Sequence, residues 1–289
     1  MRGGYRACVK GSAKGLDGLG TAACRPKMAE TTSPLNISLI LELTKRDFVE
    51  RFAGSSLGAA WAFIWPLVNL VIYIVIFSQI MGARLPGHSN VYSYGVYLTA
   101  GLIPWTAFAG TFSRSSQVFL EKRNLISKIR LSLPALLLFV SLAESVTFAI
   151  TMGFFFIFLL ATGFPLNPHL ILLPFIYFLQ QMLAFGLGLL FATFMVFIRD
   201  LKEVVGILLQ LWFWMTPIVY VKDILPEPVK PLMIYNPAYA FIESYQRLFI
   251  FQDTPHLGSL VVLTVLAHLV TLGAYGLFRK LEKDIRDFL

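Results

Sequence analysis

The chain has 289 residues, of which 57% are hydrophobic, 15% aromatic and only 14% charged, with a formal net charge of +8. A soluble domain carries about a quarter charged residues, so this composition excludes an ordinary soluble enzyme or binding module. The charges are also clumped, since none falls in residues 52–83, 85–113, 145–198 or 254–278. A helix needs roughly 20 mostly apolar residues to cross about 30 Å of hydrocarbon. Each charge-free run therefore has room for one or two crossings of a polytopic membrane protein.

Residues 1–33 read as a basic, disordered tail. Its first 27 residues are Gly- and Ala-rich, with six cations and one acid, and no secretory signal is present. The alternative is an upstream-start artefact, with "MAETTSPLN" from Met28 as the natural start. Cys8 and Cys24 lack metal-ligand spacing and His neighbours, so they are read as incidental. Residues 34–56 are expected to form an amphipathic helix lying in the membrane interface. In "NISLILELTKRDFVERF", Ile37, Ile40, Leu41, Thr44, Phe48 and Phe52 recur at helical spacing, while Glu42, Arg46 and Glu50 lie four apart.

Residues 57–289 are expected to hold six spans: Leu57–Met81, Tyr94–Phe112, Pro134–Leu160, Leu170–Phe197, Val204–Val221 and Leu257–Phe278. Runs such as "GFFFIFLLATG" lack the alternation of barrel strands, so the fold class is an all-α membrane protein. Lys and Arg set its orientation. With the N-terminus in the cytoplasm, the inner side has nine before the first span, five in the 114–130 loop, two at Arg199 and Lys202, and four in the tail. The outer side has only Arg84, Lys222, Lys230 and Arg247. Both termini are thus expected to be cytoplasmic. The loop "RSSQVFLEKRNLISKIRLSLP" also carries apolar residues at amphipathic spacing, which suits either a surface held on anionic lipid or one that docks a soluble partner.

Glu144 is the one charge well inside a span, and such residues usually face a protein interior or a water-filled path. It reads either as paired near the cytoplasmic third or as part of a pathway. Gln180, Gln181 and Gln210 suit interhelical hydrogen bonds. Nothing converges into a metal site, a nucleophile–base pair or a carboxylate pair. No GxxxxGK[ST] phosphate loop exists, so the chain cannot bind ATP by that route. No nucleic-acid partner is expected. Aromatics are the richer signal: Trp61, Trp65 and Tyr73, then Trp105, then Trp212, Trp214 and Tyr220. Interfacial belts account for many such residues, yet several lie well inside spans. Sugar rings stack their C–H faces on aromatic side chains, so a glycan pathway is the functional alternative. Trp61 and Trp65 would share one face of span one, and Trp212 and Tyr220 one face of span five.

The ordered segments "LTKRDFVERFAGSSLGAAWAFIWPL" (44–67), "GLIPW" (101–105), "NLISKIRLSLPALLL" (124–138), "FIRDLKEVV" (197–205), "WFWMTPIVY" (212–220) and "NPAYAFIESYQ" (236–246) carry a resemblance. The chain resembles the permease subunit of type-2 ABC exporters that move lipid-linked polysaccharides such as O-antigen, capsule and teichoic acid. The likeness runs from about residue 38 to 289. One departure is "IRLSLP", where Phe-Pro-Arg is expected near Leu131–Ser132.

The resemblance implies a homodimer with two separate ATPase subunits below it, which bind the ATP and Mg, so this chain itself is no enzyme and needs no cofactor. It implies a cytoplasmic docking surface with Arg46, Arg51, Lys122, Arg123, Lys128, Arg130, Arg199 and Asp200. It also implies short re-entrant gating helices between spans five and six, with Pro228, Tyr235, Asn236, Pro237 and Tyr239 at a periplasmic gate. The channel would lie between the first and fifth spans. The cargo would be O-antigen-type polysaccharide on undecaprenyl diphosphate, crossing the bacterial inner membrane, with capsule or teichoic acid as alternatives. Two rivals are weaker. A membrane transferase would need clustered His, Asp or Arg, and a secondary transporter would show inverted repeats and several intramembrane charges.

Overall fold

The computed structural model describes residues 37–51, 53–80, 85, 90–126 and 132–288, and among these every regular element is helical. The N-terminal tail with Cys8 and Cys24, together with Lys128 and Arg130, lies outside the described residues. Among the described residues nine α-helices follow in chain order: α1 Ile37–Glu50, α2 Trp61–Val71, α3 Ser93–Glu121, α4 Arg123–Ile126, α5 Leu133–Ala161, α6 Leu173–Met195, α7 Leu201–Trp214, α8 Pro237–Gln246 and α9 Leu257–Phe288. A π-helical stretch, Ile72–Ile80, continues α2.

The best-read helices are those whose ends carry local signals. Ser132 is extended before Pro134 opens α5, as suits a proline in a first helical turn. At the other end Gly163 turns left-handed (φ +65°), and Phe164 N–H donates to Leu159 O at 2.9 Å and Gly163 N–H to Leu160 O at 3.2 Å. This is the Schellman closure, which occupies carbonyls the helix leaves open. Helix α5, the segment Pro168–Met195 and α9 are long and apolar enough to cross a membrane.

Three boundaries differ from expectation. Helix α7 stops at Trp214, after only 14 residues, about 21 Å of rise and short of the expected Val204–Val221. Pro217 lacks an N–H and disfavours helix in the residue before it. Asn236 Nδ2 then donates to Met215 O at 3.4 Å and to Thr216 Oγ1 at 3.0 Å, serving groups the broken helix leaves open. Helix α3 runs through Arg114 to Glu121, so the first part of the expected loop is helix. Val118 and Phe119 are 1% exposed and hold that extension in the core. Helix α9 likewise continues past Phe278, with Ile285 fully buried.

Helix α6 packs against both α3 and α9, and α3 also contacts α5 and α8. Two glycines on opposite faces of α6 permit this. A Cβ on Gly186 would sit 2.7 Å from Thr271 Oγ1 and 2.9 Å from its backbone nitrogen, and one on Gly188 would sit 2.5 Å from Ser115 Cβ. Small residues let helix backbones approach closely. Replacing Gly186 by Leu is therefore expected to separate α6 from α9 and cost ~1–3 kcal/mol as overpacking. Thermal melting of the purified variant checks this, and an unchanged melting temperature would refute it.

Candidate functional site

Charge converges where α1 meets α3 and α5. Asp47 and Arg51 lie one turn apart at the end of α1, and Arg51 Nε donates to Asp47 Oδ2 at 3.2 Å. Arg51 Nη2 donates to Glu144 Oε1 of α5 at 2.7 Å. Arg114 of α3 donates to the same Glu144 oxygen at 2.7 Å and to Asp47 Oδ1 at 2.6 Å. The four side chains close a ring of alternating sign. The carboxylates are only 9–10% exposed and the arginines 26–29%. Gly110 makes room for it, because a Cβ there would stand 2.9 Å from Glu144 Oε2. In the ring Glu144 is paired with both arginines. Removing one partner of such a buried pair typically costs ~3–5 kcal/mol.

Asp47 and Arg114 were not among the sequence-derived site residues. The i,i+4 spacing of Asp47 and Arg51 was the available signal, but the partners at 114 and 144 are distant in sequence. In α1 the residues buried against the bundle are Ile40 and Asp47. Ile37 and Leu41, expected on the apolar face, are 70% and 58% exposed. Outside the ring, Glu50 accepts from Arg46 at 2.6 Å and pairs with Lys122 at 3.6 Å. The Arg46 guanidinium holds the Glu50 carboxyl below its usual range.

Above the ring a cleft of about 480 Å³ opens between α2, α3 and α5, with Arg51 at its lining. One wall carries Trp61, Trp65 and Tyr73, and the other Thr99, Thr106, Thr147 and Thr151. The two indoles lie 6.2 Å apart. Thr106, Thr147 and Thr151 each donate to a carbonyl of their own helix, which leaves each oxygen able to accept. The Thr99 hydroxyl is buried with no hydrogen-bond partner among the described residues.

The other expected channel aromatics sit elsewhere. Trp105 is 6% exposed and packs at 6.4 Å against Trp212 and 5.7 Å against Phe213. Trp212 stands perpendicular to Phe108 at 5.4 Å and donates Nε1–H to Asn236 Oδ1 at 2.7 Å. Trp214 is 59% exposed. Tyr220 lies past the end of α7, with its hydroxyl donating to Trp214 O at 2.9 Å. Trp212 and Tyr220 therefore do not share a helical face.

Asn236 is the hub of the expected gate. Besides Trp212, its Oδ1 accepts from Ala238 N–H at 3.0 Å and Tyr239 N–H at 3.4 Å, capping α8 ahead of Pro237. Tyr239 is buried, with Lys222 Nζ 5.3 Å from its ring centre. Pro228 and Tyr235 are exposed. Nearby, Arg247 binds Asp253 and donates to Thr254 O at 2.9 Å. The Thr254 amide, donating to the Asp253 carboxyl, holds that group below its usual range.

Residues 38–250 match the ABC-2 type transporter family. The chain belongs to that family. Among curated relatives, it is 29% identical over 254 residues to an "O-antigen export system permease protein RfbA" of Klebsiella pneumoniae, covering 87% of this chain and 95% of that one. It is 25% identical over 251 residues to the protein of the same name from Myxococcus xanthus, covering 86% and 94%. A "Polysialic acid transport protein KpsM" of Escherichia coli is 24% identical over 199 residues, covering 68% and 76%.

In this ABC-2 chain the expected docking residues fall into two groups. Arg46, Arg123, Arg199 and Asp200 are exposed, and Lys122 half-buried. Arg51 is instead committed to the ring beneath the cleft. Among the described residues no group of three His, Cys, Asp or Glu could hold a metal ion.

Proposed function

We propose that this ABC-2 family protein is the membrane permease of an ATP-driven exporter for O-antigen-type polysaccharide carried on undecaprenyl diphosphate. The observation that carries the reading is the likeness to permeases named for O-antigen export, which extends over nearly the whole of both chains. The cleft adds chemical support. Its aromatic wall offers faces for sugar C–H groups, and its threonine wall offers acceptors for sugar hydroxyls. A capsule-type cargo is the second reading, supported by the shorter match to the polysialic acid transport protein.

In this proposal two copies form a homodimer in the bacterial inner membrane, and two separate ATPase subunits bind ATP and Mg. Residues 1–33 are a tail, 34–56 the interfacial helix, and 57–289 the six-span transmembrane domain with both termini in the cytoplasm. Helix α7, too short to cross alone, is completed by the non-helical residues after Trp214. The stretch from Asp223 to Asp253 forms short re-entrant pieces, for which irregular backbone packed within protein is the tolerated arrangement. Arg46, Lys122, Arg123, Arg199 and Asp200 present the docking face, together with Lys128 and Arg130 beyond the described residues.

The test is co-expression with a candidate ATPase subunit. The chain alone should hydrolyse no ATP, whereas the pair should co-purify with equal numbers of each subunit and turn over ATP. ATP hydrolysis by the chain alone, persisting when a nucleotide-site mutant ATPase is supplied, would overturn the reading.

A further inference from the structure

We propose that the ring Asp47–Arg51–Glu144–Arg114 is the mechanical coupling by which movement of α1 reaches the cleft, resting on the reading of α1 as part of the ATPase-docking face. Its construction fits that role. Each arginine bridges two carboxylates and each carboxylate two arginines, so no single contact can open without leaving a buried charge short of a partner. Arginine suits the position because its planar fork can serve two acceptors at once.

The ring also sits near the C-terminal end of α1, beyond the apolar contacts that Leu39, Ile40 and Leu43 make with the bundle. Just beyond Arg51 the chain turns through Gly54 (φ +84°) and Gly58 (φ +49°) into α2. Left-handed glycines mark a sharp elbow there, so α1 and α2 are not one continuous helix, and the ring is the charged link from α1 to α3 and α5.

From the ring, two helical stripes lead directly to the cleft. On α3, Arg114, Gly110 and Thr106 are spaced four apart, and on α5, Glu144, Thr147 and Thr151 are spaced three and four apart. Residues so spaced share one helix face. Thr106, Thr147 and Thr151 line the cleft, as does Arg51 itself. Of the ring, Arg51 reaches the cleft directly. Displacement of α1 with the ring closed would bear on α3 at Arg114 and on α5 at Glu144, about one to two turns from those threonines. Asp47, Glu144 and Arg114 are positioning residues in this scheme, acting through the helices rather than on cargo or nucleotide.

The experiment uses the full chain in complex with its ATPase. Two readouts are taken: ATP turnover of the purified complex, and surface glycan in cells that rely on the variant. Glu144→Gln keeps the side-chain shape and removes one charge. Yield is expected to fall with the lost charge pair, while in the complex that assembles ATP turnover per complex stays normal and export per complex falls about tenfold, within the usual range of coupling energies. A merely structural pair would lower yield and leave export per assembled complex at the parental rate. Export at the parental rate in an assembled Glu144→Gln complex would overturn the proposal.

A second variant covers failure of the first to assemble. In a chain with Cys8→Ser and Cys24→Ser, the pair Asp47→Cys/Arg114→Cys is joined by a short thiol cross-linker. Joining is expected to restore export above that of the unjoined pair without altering ATP turnover. No difference between the two would overturn the coupling role. If the parental complex neither hydrolyses ATP nor exports glycan, the transporter reading fails instead, and the two failures are distinct.

Discussion

Arg114→Ala is expected to be among the most destabilising single substitutions in the chain, costing about 3–5 kcal/mol. Two carboxylates, each about a tenth exposed, would then share the single guanidinium of Arg51. The cost comes less from two lost hydrogen bonds than from a buried charge left without compensation. This makes a second, sharper expectation. The double variant Arg114→Ala/Glu144→Gln leaves Asp47 paired with Arg51 and no charge in excess, so it should be more stable than Arg114→Ala alone. Interaction energies of ~0.5–3 kcal/mol are usual for side chains in one network. Melting temperatures of the single and double variants in the same detergent decide the matter. If the double variant melts lower than Arg114→Ala by the full added cost of Glu144→Gln, the two residues act independently and the ring is not an energetic unit.

The contrast between what the sequence made legible and what it did not follows the range of the interactions. The expected span Pro134–Leu160 lies within one residue of helix α5 at each end, because Pro134 and Gly163 are local signals and the run between them is uncharged apart from Glu144. The helix in the fifth apolar segment ends at Trp214, earlier than hydropathy suggests, because "MTPIVY" stays apolar after the helix has ended. Hydropathy reports burial or lipid, and neither requires helix. The cations at 114–123 were read as loop residues for the same reason in reverse. Charge need not end a helix, since α3 carries Arg114 into a prepared partner. That partner set joins residues 67, 30 and 93 apart in sequence, and no periodicity within a window of one helix can show such a closure. The family resemblance, built on ordered short motifs, agreed with the family that residues 38–250 match. It could not place individual side chains.

The aromatics show that last limit most clearly, and the structure turns one expectation about them into two. Trp105 and Trp212 are packed against each other and against Phe108 and Phe213, and Trp212 also holds Asn236, the cap of α8. Truncating either is expected to cost ~3–5 kcal/mol, as for large aromatic residues in cores, and to lower the melting temperature by about 10 °C in a chain of this size. Export should fall only as far as protein is lost. Trp61 and Trp65 stand on the cleft wall, and Trp65 is 59% exposed, so Trp65→Ala removes little core contact. It should melt close to the parent. A polymer that slides through a site needs many weak, interchangeable contacts, and stacking on an indole tolerates translation along the chain. Trp65→Ala and Trp61→Ala are therefore expected to reduce surface glycan at normal protein level, while Trp105→Ala and Trp212→Ala reduce the protein itself. The measurement is surface glycan per assembled complex for all four variants. If Trp65→Ala matches the parent on that ratio, the exposed indole faces lipid, and the cleft is not part of the glycan's path.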